Sequence, residues 1–140
     1  MPISELNTLL RQAQPKRQAG KFVFTSLPEW PDLPLPDVLM SFRESEGITL
    51  ILEKGVADQH GLKYDYVSTW ITMEVNSALD AVGFTAAFAT ALGEHNISCN
   101  VVAAFYHDHI FVAHEDGDRA VEVLKNLSGP PRERNEPDNN

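Results

Sequence analysis

Few side chains in this sequence are of types and spacings that could do chemistry. His107, Asp108 and His109 set two imidazoles around a carboxylate, the donor set of a metal site or of an acid–base pair. Residues two apart share a face only on an untwisted strand, and no third ligand is evident. A hairpin turn, with Asp108 supplying the turn chemistry, is therefore the better reading, and an enzyme using His107 and His109 is the outside alternative. Cys99 is the only cysteine, which excludes an intramolecular disulfide. With no basic residue or second thiol beside it to activate it, it reads as a buried small hydrophobe. Glu44 with Glu46, and Glu115 with Asp116 and Asp118, stand at a turn and at a helix start, where solvation and the helix dipole explain them. There is no glycine-rich phosphate loop, zinc spacing or nucleophile elbow, so no catalytic residue, metal or cofactor is expected, and the chain is not read as an enzyme.

Binding chemistry is better represented. Gly83 lets the backbone come close to a ligand, and the helix start after it presents unpaired N–H groups to a carboxylate. The same glycine could serve close packing alone. Asn100 lies in an otherwise apolar strand and needs partners if buried, either a ligand's polar group or an adjacent loop.

The elements that must position these residues follow from periodicity. Ser4 reads as the N-cap of a short helix to about Gln14, which Pro15 and Gly20 end. Lys21 to Ser26 alternates like a strand and runs into a loop whose four prolines forbid regular structure, with Trp30 expected to fold back onto it. Val38–Arg43 and Ile48–Glu53 form a hairpin turned by Gly47, and a short helix over Val56–His60 ends at Gly61. The second half repeats these sizes. Val67, Thr69, Ile71, Met73 and Val75 share one face of a strand, with Trp70 on the other, and Phe84, Ala87, Phe88, Ala91 and Leu92 form one helical stripe. Asn96 ends that helix, a strand starts at Ile97, the turn at His107 and Asp108 leads into His109–Ala113, and a helix follows from Glu115.

The chain carries a formal charge of −9, which repels phosphate backbones and anionic lipid, so nucleic acid and membrane are poor partners. The N-terminal stretch lacks the pattern of a secretory signal and no stretch matches a membrane span, so a cytoplasmic setting is expected. From Ser128 the polar, proline-rich tail is expected to be disordered.

Two motifs, FRESEGITLILEK at Phe42–Lys54 and WITMEVNSALDAVGFTAAFATALGEHNISCNVVAAFYHDHIFV at Trp70–Val112, resemble the ACT domain superfamily, and more narrowly small bacterial proteins of two tandem ACT-like units. The resemblance implies an α+β, ferredoxin-like fold with antiparallel sheets and helices on one face. It divides the chain into a degenerate first unit, 1–64, a second unit, 65–128, and a tail, 129–140, with the two units sharing a core. Its functional implication is a non-catalytic regulatory or sensor module for a small metabolite, an amino acid in the related aspartate kinase domains. There the effector lies between the loop after a unit's first strand and the second strand of a facing unit. Carried over by residue, the loop is Ser77, Val82, Gly83 and Phe84, and the strand is Ile97, Ser98, Cys99, Asn100 and Val101. A single site at the junction of the units, contributed mainly by the second, and a homodimer are expected. The alternative is an interaction or self-association module working through an exposed strand edge.

Overall fold

The computed structural model describes residue 2 and residues 4–128. Its core element is one antiparallel sheet of seven strands, in the order β3-β4-β2-β5-β7-β6, with β1 also on β5. The strands are β1 (Pro15–Arg17), β2 (Phe22–Leu27), β3 (Met40–Glu44), β4 (Gly47–Glu53), β5 (Val67–Met73), β6 (Asn100–Ala103) and β7 (Asp108–Ala113). The helices are α1 (Leu6–Gln12), α2 (Lys54–Gln59), α3 (Phe84–Glu94) and α4 (Gly117–Lys125).

The pairing shows how two ferredoxin-like units fit in one sheet. One edge of β5 is paired to β1 through Arg17↔Ile71 and to β2 through Phe22↔Ser68, while its other edge is paired to β7. In the second unit β6, β7 and β5 take their expected places, and the fourth strand is supplied by β1 and the start of β2. In the first unit β3, β4 and β2 do the same, and the fourth place is held by β5. Each unit's opening strand thus closes the other's sheet.

Sequence reasoning ended the first helix at Pro15, but that proline opens strand β1, where an unavailable N–H is tolerated at the first residue. The first helix is also capped one residue later than expected. Glu5, not Ser4, accepts the Thr8 backbone N–H at 2.8 Å. The hairpin β3–β4 forms as expected, and Gly47 is needed there because a Cβ would lie 2.7 Å from the Leu27 carbonyl oxygen. Trp30 does not fold back, being 41% exposed, and Leu33 of the same loop enters the core instead.

The buried residues form three clusters, two of which draw on both units. On the helix side of the second unit, Phe84, Phe88 and Leu92 of α3 and Ala120, Val123 and Leu124 of α4 meet Ile71, Met73, Ile110 and Val112. Leu9 and Ala13, from the first stretch of the chain, belong to this cluster too. Burial of each large side chain here contributes about 1.5–3 kcal/mol. Gly117 lets α4 start against β5, since a Cβ there would be 2.8 Å from Thr69 Oγ1. The helix side of the first unit is thinner, with Val23, Leu50 and Leu52 under Leu33 and Ala57. On the opposite face Phe22, Ile51 and Phe111 are buried with Phe24, Met40, Trp70 and Val102 against them, drawn from both units and from no helix.

Candidate functional site

The chain after β5 leaves the sheet, passes Ser77 and enters α3 through Gly83, whose φ of 94° is left-handed. Among the described residues no side chain caps α3, so its first N–H groups are left for another acceptor. The helix is fixed at its far end by Asn96, at φ 60°, with the Ile97 N–H donating to the Leu92 carbonyl at 3.0 Å. Its start opens on a cleft of about 60 Å³ walled by Ser77, Ala78, Leu79, Ala81, Phe84, Thr85, Ala103 and Asp108.

Asp108 is the charged group of this cleft. It is not a turn residue, as the sequence had indicated, but the first residue of β7, opposite Met73 and Ala103. The turn lies one step earlier, closed by the Ala104 N–H donating to the His107 carbonyl at 3.0 Å. Asp108 is 8% exposed. Burial raises its pKa, and the neighbouring His107 only partly opposes this. Among the described residues no hydrogen-bond donor reaches the carboxylate. The cleft therefore has a partial positive end at the start of α3, a half-desolvated acid on its β7 wall, and the hydroxyls of Ser77 and Thr85 on its lining.

The residues singled out in the sequence are brought together only in part. Ser77 and Phe84 wall the cleft. Gly83 adjoins it, but the space a Cβ would take is filled by α1, with Leu6 Cδ2 at 3.1 Å. Val82 is 82% exposed. Ile97 is buried in the helix-side core, and Cys99 and Val101 pack against it. Burial pushes the Cys99 thiol up to about 11. Ser98 bonds the Tyr66 hydroxyl at 3.1 Å, and Asn100 Nδ2 donates to the Phe111 carbonyl at 3.3 Å. The strand expected from Ile97 begins only at Asn100, because Ile97 closes the helix end. Every cleft residue comes from the second unit, and sequence reasoning missed six of them, of which Asp108 and Thr85 are the polar ones.

His107 and His109 do not converge. His107 Nδ1 donates to the Val75 carbonyl at 3.2 Å, whereas His109 Nδ1 accepts from Trp70 Nε1–H at 3.0 Å. Among the described residues no three His, Cys, Asp or Glu side chains are grouped to hold a metal.

A family model described as ACT domain matches residues 1–69, and a second with the same description matches residues 66–126. A Vibrio cholerae protein of unknown function, described as a possible transport protein, is 42% identical, with 89% of this chain and 96% of that chain covered and a TM-score of 0.76. An Agrobacterium tumefaciens protein is 17% identical, with 83% and 89% covered and a TM-score of 0.69. The aspartate kinase of Clostridium acetobutylicum, described as an allosteric enzyme, shares the fold at 10% identity and a TM-score of 0.57, with 82% of this chain and 34% of the kinase covered. No curated protein matches the chain.

Proposed function

This chain belongs to the ACT domain family as two tandem units, a family of generally ligand-binding regulatory modules, and from that premise we propose that it is a cytoplasmic, non-catalytic sensor of a small metabolite of the α-amino acid class. The supporting observation is that one cleft joins the uncapped start of α3 to the Asp108 carboxylate. A zwitterion matches that pair: its carboxylate would accept from the α3 N–H groups, and its ammonium would donate to Asp108. At about 60 Å³ the cleft accommodates the charged end of an amino acid and not a large side chain. The side chain would pass over Leu79, a wall residue that is 67% exposed. In a homodimer the exposed Ser98 and Asn100 of a facing copy would complete the enclosure.

A thermal-shift screen of the common amino acids tests this, because a ligand selective for the folded state raises the melting temperature. One amino acid is expected to stabilise the wild type and to lose that effect in Asp108→Asn. No response to any of them, or a response indifferent to Asp108→Asn, would overturn the site.

A second reading, self-association without a ligand, rests on the strands β3 and β6, which have no outer neighbour among the described residues, and on the exposed Phe42 and Phe105 at them, at 64% and 73%. A concentration-dependent dimer that no amino acid perturbs would favour it.

A further inference from the structure

We infer that the helix-free face of the sheet carries a second ligand site, shaped for a small neutral aromatic molecule with one hydrogen-bond acceptor. A pocket of about 140 Å³ lies there, walled by Trp70, Val102, Ala104, His109 and Phe111 of the second unit and by Leu39 and Met40 of the first. That volume is close to the roughly 150 Å³ of an engineered protein cavity that takes up benzene. Two of its walls are rings, Trp70 and Phe111, 16° from parallel with centroids 6.3 Å apart, and Phe22, outside the pocket, braces Trp70 edge-on at 5.2 Å. Flat rings on such a wall favour a flat apolar guest.

One wall residue is polar, and its donor is fixed by its neighbours. The Trp70 indole N–H can only donate, so His109 Nδ1, 3.0 Å away, must be unprotonated. Thr72 Oγ1, 3.1 Å from the same nitrogen, already accepts from Gln18 Nε2 and is free to donate to Nδ1. The imidazole proton is thereby confined to Nε2, which has no partner among the described residues. The pocket thus has one wall residue able to donate, His109, no charged group and an otherwise apolar wall. An anion would also meet the chain's net charge of −9, and an ion of either sign would lose its hydration against this apolar wall, so the guest is neutral.

This site stands apart from the amino-acid cleft. Ala103 and Asp108 wall the cleft, while Val102, Ala104 and His109 wall the pocket, so alternate residues of β6 and β7 serve opposite faces of the sheet. The two readings can therefore fail separately.

The test is a titration of the ¹⁵N-labelled full chain with phenol, and with toluene as the isostere lacking the acceptor. The Trp70 indole N–H and the His109 and Ala104 amides should move saturably with phenol, while the Ser77 and Thr85 amides stay in place. Ala104→Phe, which puts a ring into the pocket, should abolish the response. In His109→Phe the preference for phenol over toluene should fall by about 3- to 10-fold relative to wild type, the net worth of one hydrogen bond. Absence of saturable shifts, or shifts that survive Ala104→Phe, would overturn the proposal. It would equally fall if Trp70 responded only to protein concentration and Ala104→Phe broke a dimer, since a second copy would then be the occupant.

Discussion

Asp108 carries opposing demands. The residue is 8% exposed, and burial raises its pKa in the folded state, with no donor to the carboxylate among the described residues. The native chain therefore holds that proton more tightly than the unfolded chain does. Stability is unaffected by this group below the unfolded carboxyl value of about 3.9, is lost as pH rises through it, and stays reduced above the folded value. Asp108→Asn is expected to raise the melting temperature at pH 7 by a few degrees while removing the amino-acid response, with the stability gain shrinking toward pH 4. Thermal unfolding across that range checks both signs; an unchanged or lowered melting temperature at pH 7 would mean that the carboxylate is not under strain. The sequence showed this residue but assigned it to the wrong element. The H-D-H run has the composition of a turn, and only the pairing of Asp108 with Met73 moves the turn to Phe105 and Tyr106. Asn100 was legible as a polar residue in an apolar strand, and its partner, the Phe111 carbonyl, depends on a register that no local pattern specifies.

At the scale of elements, α1 is the piece with the largest displaced effect. Its seven residues are too few to hold a helix alone, and its capping by Glu5 offsets only part of that cost. Leu9, fully buried among Ile71, Phe84 and Phe88, supplies the rest by packing on the second unit. Leu9→Ala should cost about 2–5 kcal/mol of global stability, read from the urea midpoint, and should shift the amides around Gly83 and α3 more than those of β3 and β4. An effect confined to residues before β2 would show that α1 is an appendage. Helix periods and helix ends were largely legible: the α3 stripe, Asn96 in its left-handed place and Gly61 after α2 follow from local chemistry. Strand β1 was not, because three residues beginning with proline carry no period of their own and become a strand only through Met73, Thr72 and Ile71.

For the molecule as a whole, the tandem ferredoxin-like plan was legible from the repetition of element sizes, whereas the exchange of opening strands was not, since it depends on pairs far apart in sequence. That exchange means that residues 1–64 and 65–128 each lack a fourth strand supplied by the other. Expressed separately, both halves should be unfolded by circular dichroism, and mixing them should restore the strand signal. A dispersed amide spectrum from 65–128 alone would contradict this arrangement.

The exchange also bears on how the chain reaches this state. Pro15 pairs with Met73, Phe22 with Ser68, and Ser68 with Ala113, so the central strands acquire their last neighbours only after most of the chain exists. Such distant pairings impose loop-closure entropy before they return any stabilisation, and they slow folding. During synthesis the Phe22–Leu27 strand has β4 as its one early neighbour. Its other edge waits for Val67 and Ser68, and its aromatic face for Trp70 and, later still, Phe111. Until those residues are made, the open edge and aromatic face of this strand are the surface of the nascent chain most in need of protection, a consequence that the two-unit sequence plan alone would not have revealed.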